Sequence, residues 1–117
     1  MIKSWVCIEK YFSELAQEHD KFLSMLELVQ KINESEYVSG LYAWTSIYDL
    51  CVVQTKVSYP NYEPYLRISP IFDGSIEFSY IDTHNKEKQW SRTTSGSDAF
   101  QWLISFVNQL HWFVKYT

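Results

Sequence analysis

Ser75-Ile76-Glu77-Phe78-Ser79-Tyr80-Ile81-Asp82 is the stretch from which the fold of this chain can be read. Successive side chains of a strand point to opposite faces, so Ile76, Phe78 and Tyr80 share one face and Ser75, Glu77 and Ser79 the other. A period of two with one polar face predicts an antiparallel sheet that is covered on one side only. Just upstream, Phe72-Asp73-Gly74-Ser75 supplies the residue types of a tight hairpin, and Tyr65–Pro70 reads as the short strand before it. Downstream, the polar turn Thr83-His84-Asn85-Lys86-Glu87 leads into a further strand over Lys88–Thr93. Leu41–Ile47 and Tyr48–Lys56 are rich in β-branched and aromatic residues and complete the strand run.

Helical patterns flank this run. Residues 1–33 hold neither Gly nor Pro, and Trp5, Ile8, Phe12, Leu15, His19, Phe22, Leu26 and Val29 recur at spacings of three and four. One helix over residues 5–33 would be about 43 Å long, more than the ~35 Å diameter of a compact chain of this size. A break near His19-Asp20 is therefore expected, with Asp20 capping a second helix. At the other end, Gly96, an N-capping Ser97 and Asp98 open a helix whose stripe is Phe100, Leu103, Phe106, Val107 and Leu110, with Trp102 off that stripe. Trp112-Phe113-Val114 either extends this helix or packs as a tail. The order predicts a single α+β domain over residues 1–117: an N-terminal helix or helix pair, a four- to five-stranded antiparallel sheet, and a C-terminal helix on one sheet face.

Composition narrows the function. Nine Tyr, seven Phe and five Trp in 117 residues exceed what a small interior can absorb, so some rings are expected at the surface, where Tyr and Trp anchor protein contacts. The net charge of −4 argues against DNA or RNA as the main ligand, because phosphate binding needs clustered Lys and Arg. An acidic chain can instead cover a basic groove on another protein. The charged start, Met1 to Lys10, does not read as a signal peptide, and no apolar run reaches the ~20 residues of a membrane span. Cys7 and Cys51 form no framework, and Cys51 in Leu50-Cys51-Val52-Val53 reads as a small core residue. A reduced, cytoplasmic protein with no membrane contact is the expectation.

Groups with recognisable chemistry are sparse. His19, His84 and His111 show no metal-ligand spacing. Arg92-Thr93-Thr94-Ser95-Gly96-Ser97-Asp98 leads to a helix start where backbone N–H groups could hold an anion, but capping explains the same residues and Asp98 would repel a phosphate. Glu77 and Asp82, five apart on a strand, point to opposite faces and make a poor hydrolytic pair. The sequence therefore predicts no enzyme, no metal and no cofactor.

Two stretches instead suggest a contact surface. Tyr59-Pro60-Asn61-Tyr62-Glu63-Pro64-Tyr65 spaces three tyrosines by three, and its prolines favour an extended backbone with about three residues per turn. The rings then form one ridge, or else lie over the sheet as a satellite cluster. Between Lys31 and Lys56 there is no other cation, and Glu34, Glu36 and Asp49 alternate with Tyr37, Tyr42, Trp44 and Tyr48. Acidic groups interleaved with aromatics suit a basic protein partner. The expected binding residues are Glu34, Glu36, Tyr37, Tyr42, Trp44, Asp49, Tyr59, Tyr62, Glu63 and Tyr65.

In size, acidity and aromatic loops the chain resembles the small bacterial immunity proteins that neutralise partner toxins, often nucleases. That resemblance implies a domain that masks a toxin's basic active cleft with acidic and aromatic side chains. Two other readings stand beside it: a small-molecule binder or enzyme with an aromatic-lined pocket between helices and sheet, and an acidic secretion chaperone.

Overall fold

The break in the N-terminal helical pattern falls at His19, whose extended backbone (φ −142°, ψ 123°) ends α1 (Trp5–Glu18). The computed structural model describes residues 2–54 and 64–112. Ser4 caps α1, its Oγ accepting from the Cys7 N–H at 3.2 Å; such caps contribute about 1 kcal/mol. After His19 a short 3-10 turn, Asp20–Phe22, leads into α2 (Leu23–Asn33). Asp20 was expected to cap the second helix, but it lies inside the turn and no side chain caps α2. Of the expected stripe Trp5, Ile8, Phe12, Phe22 and Val29 are buried and Leu15 and Leu26 half-buried, but His19 is exposed where the chain breaks; Met25, Leu28 and Ile32 complete the buried face.

Five strands follow: β1 (Tyr42–Ser46), β2 (Asp49–Val53), β3 (Tyr65–Pro70), β4 (Ile76–Ile81) and β5 (Trp90–Thr94). They form one sheet in sequence order, each antiparallel to the next. Residues directly opposite one another share a face. The pairs Ala43↔Val52↔Leu66↔Tyr80 and Leu50↔Ile68↔Phe78 thus define the helix side, and all seven are buried. Ile76 joins them, so the alternation of β4 is realised as read.

Helix α3 (Ala99–Gln109) returns from the sheet's last strand and buries Ala99, Leu103 and Val107 in the same cluster. Its start differs from the expectation. A 3-10 turn, Gly96–Asp98, precedes it, and Ser97 does not cap it; the Ser95 hydroxyl meets Asp98 at 3.1 Å and Ser97 at 3.2 Å instead. At its end His111 adopts φ 57°, and the Trp112 N–H returns to the Val107 carbonyl at 3.0 Å. This left-handed exit turns Trp112 back onto the core, 6.4 Å from the Tyr80 ring.

The helix layer is keyed to the sheet at one end. Ser24 of α2 donates to the Gly74 carbonyl in the β3–β4 turn at 2.7 Å. Gly96 lies against both. A Cβ there would stand 2.2 Å from Ser24 Oγ and 2.9 Å from the Gly74 carbonyl oxygen. Gly74 itself has φ 90°, which a non-glycine residue rarely adopts. Replacing Gly96 with Ala should therefore force α2 and the turn apart and lower unfolding free energy by about 1–3 kcal/mol in denaturant titration. Ser24→Ala together with Gly96→Ala should recover part of that loss, because the closest obstructing atom is removed.

Candidate protein-binding surface

The face of the sheet turned away from the helices carries four of the expected residues. Register places Tyr42, Trp44, Asp49 and Tyr65 there, with Ser46, Cys51, Val53, Arg67 and Ser79 beside them. Trp44 and Tyr65 meet with ring centroids 5.2 Å apart and planes tilted by 55°. Cys51 lies directly between Trp44 on one neighbouring strand and Arg67 on the other. It is buried, as expected of a small apolar residue, but on this outer face and not in the helix-side core. Burial pushes its thiol up to about 12, despite the nearby Arg67 cation.

Arg67 holds the polar half of this face. Its Nε donates to Asp49 at 2.6 Å and an Nη reaches Ser46 at 3.5 Å. Burial alone would lower the guanidinium's pKa, but bonds to Asp49 and the Tyr65 hydroxyl raise it overall. Asp49 is thus a paired carboxylate, not a bare one. Both partners are partly exposed, so the pair contributes no more than about 1 kcal/mol. What it supplies is a fixed geometry beside Trp44 and Tyr65. Arg67 was not singled out from sequence, although the alternation Tyr65-Leu66-Arg67-Ile68 puts it on the face of Tyr65.

The remaining expected residues are elsewhere. Glu34 caps the end of α2, and Glu36 opens a 3-10 turn, Glu36–Ser39; both are exposed at the end of β1 remote from its hairpin. Tyr37 is half-buried and packs on the core. Tyr59, Tyr62 and Glu63 lie outside the described residues.

Sequence reading missed the apolar end of the molecule. Leu23, Ile47, Tyr48 and Phe72 are exposed, Ile47 by 75% and Phe72 by 91%. The antiparallel order puts the β1–β2 and β3–β4 turns at one end. The same end holds the α1–α2 junction: Phe22 packs 5.1 Å from Tyr48, and Ser24 bonds Gly74. Lys21 sets its ammonium over the Phe22 and Tyr48 rings, 5.3 and 5.4 Å from their centroids. Glu18, Asp20, Asp73 and Asp98 are exposed around this end.

Ile47 is also strained. The pair Ser46↔Asp49 leaves Ile47-Tyr48 as a two-residue hairpin loop, and Ile47 has φ 56°. Primed hairpin turns require that sign and select Gly or Asn for it. A β-branched residue there costs roughly 1–2 kcal/mol. The Tyr11 hydroxyl donates to the Ile47 carbonyl and holds the loop in place. Such strain persists where the surroundings fix the backbone, here the β1–β2 pairing and the Tyr11 bond, and the side chain projects into solvent.

Surface concavities flank the β1 border. One of about 470 Å³ is lined by Trp5, Asn33, Val38, Leu41 and Tyr42 among others, and one of about 560 Å³ by Lys3, Cys7, Lys10, Tyr11 and Glu14 among others. Both open broadly to solvent, and the first borders both layers, with Trp5 of α1 and Asn33 of α2 on one side and Tyr42 of β1 on the other. Among the described residues no group of three or more His, Cys, Asp or Glu could hold a metal ion, and no helix is long and apolar enough to cross a membrane. In comparisons with known proteins, no family model, curated sequence or solved structure matches the chain.

Ile47→Gly should raise stability by about 1 kcal/mol, read from the denaturation midpoint, because glycine adopts the positive φ without penalty. The two cysteines are free, Cys7 exposed and Cys51 buried. Alkylation of the native protein should label Cys7 alone, and both thiols should react in denaturant. The raised Cys51 value fixes the sign of its pH dependence. Its contribution is full below the ordinary thiol value near 9 and is lost as pH rises towards 12, since the unfolded chain releases the proton first.

Proposed function

We propose that this chain is a small acidic, cytoplasmic protein-binding domain of the immunity type, which masks the basic active cleft of a toxin, with nucleases the leading class. The observation that carries the reading is the strained, outward Ile47 at the head of a rigid aromatic face. Tyr42 and Trp44 stand on β1 and Tyr65 on β3, where the Trp44 and Tyr65 rings meet across Cys51 of β2. Large rings on a preorganised sheet lose little conformational freedom on binding, which is how interface anchors gain their energy.

Charge supplies the second half of the argument. The chain carries −4 overall, and carboxylates surround the apolar end. Such a field at that end speeds encounter with a cationic cleft, while the apolar tip and rings set the lifetime of the complex. Glu34 and Glu36 contribute to steering from the far end of β1.

The decisive experiment takes the proteins encoded next to this chain's gene in its native host, among which the reading expects a basic toxin. Co-expression should relieve that protein's toxicity, and the purified pair should associate more slowly as salt shortens the Debye length. Trp44→Ala and Ile47→Asp, once shown to be folded, should each shorten the complex lifetime by about 30-fold, the equivalent of ~2 kcal/mol for a central anchor. Glu34→Lys with Glu36→Lys should slow association and leave dissociation nearly unchanged. A neighbour whose toxicity persists, or a complex indifferent to all of these changes, would overturn the reading.

A further inference from the structure

The two borders of the sheet are treated differently. At β1 the N-terminal segment approaches, and the Lys3 N–H donates to the Ala43 carbonyl at 2.8 Å. At β5 only β4 pairs, from Ile76↔Thr94 to Tyr80↔Trp90, and among the described residues no strand lies beyond it. Ser91, Arg92 and Thr93 are exposed. This border contains no Pro and no Lys, the residues that usually block strand addition.

Register sends Trp90, Arg92 and Thr94 to the helix side, opposite Tyr80, Phe78 and Ile76. There α3 and β5 leave an open groove of about 250 Å³, lined by Arg92, Trp102, Ser105 and Phe106. Its floor is aromatic: Phe106 lies 4.5 Å from the Trp90 ring, 5.3 Å from Phe78 and 5.8 Å from Trp102. The Arg92 guanidinium stands 5.5 Å over Trp90 and donates to the Ser91 carbonyl at 2.9 Å. Among the described residues it makes no ion pair; the one that forms joins Arg67 to Asp49.

We propose that the β5 border and this groove bind an extended acidic segment of another protein, which adds to the sheet as a sixth strand. A border strand offers an unpaired row of backbone donors and acceptors, the basis of strand-addition recognition. Residues two apart on the added strand share a face, so one apolar side chain enters the Trp102–Phe106 groove while a carboxylate two positions away meets Arg92. Arg92 also decides between occupants. A second copy of this chain pairing antiparallel about the centre of β5 would set two guanidiniums directly opposite, which is destabilising. A glutamate in that place gains an ion pair. This site is at the opposite border of the sheet from β1 and does not depend on the toxin-masking reading.

The test is NMR titration of the isotopically labelled full chain with the peptide Ac-TETLTETLTE-NH2, its counterpart with Lys for Glu, and an acidic version N-methylated at alternate residues. The acidic peptide should shift amides of residues 90–94 and 102–106, binding at least about fivefold more tightly than the lysine peptide. N-methylation should abolish the shifts, since it removes the backbone donors. The exposed substitution Arg92→Glu should invert the charge preference, and Arg92→Gln should level it. Shifts confined to other residues, equal affinity for both charges, no saturable shift at millimolar peptide, or self-association through β5 would each overturn the inference.

Discussion

Gly96, Ser24 and the Gly74 carbonyl meet with no room for even a methyl group, and that contact fixes where the helix layer sits on the sheet. It joins the start of α2, the β3–β4 turn and the entry to α3, three segments far apart in sequence. Because the helices are held there, the helix-side face of β1 to β4 is closed, β5 keeps an open groove beside α3, and the other face is left to side chains alone. The aromatic display of Trp44 and Tyr65, and the outward position of the hairpin tip, follow from this one-sided closure. Packed interiors transmit such constraints because they have almost no slack.

Much of the architecture was legible because it rests on period. The alternation of Ile76, Phe78 and Tyr80 survives into a buried face, and so does most of the three-four spacing from Trp5 to Val29, with His19 exposed at the break. The break at His19 was legible from length alone. Caps were not: Asp20 and Ser97 have the right chemistry, but short 3-10 turns shift the helix starts past both of them. Local hydrogen-bonding preference is worth about a kilocalorie, and tertiary placement overrides it easily.

The candidate surface was only partly legible. Tyr42, Trp44, Asp49 and Tyr65 come together because they occupy same-face positions on β1, β2 and β3, which alternation implies once register is known. Register is what the sequence does not print, so neither the Trp44–Cys51–Arg67 line nor the pairing of Asp49 with Arg67 could be read in advance. Ile47 escaped for another reason. Its residue type argues against a positive-φ turn, and its placement there runs against local propensity. The strand pairing on either side and the Tyr11 bond fix that turn, and they outweigh the preference of the residue itself.

Each strand of the sheet pairs with its neighbour in sequence, whereas the covering helices come from opposite ends of the strand run. On a ribosome, α1, α2 and the whole meander leave the exit tunnel before α3 does. A nascent chain then carries Phe78 and Tyr80 of β4 and Trp90 of β5 without the helix that packs on them, beside the open border of β5. Synthesis therefore passes through a stage in which these rings are bare beside an unpaired strand border, a state open to strand pairing with other chains until α3 docks.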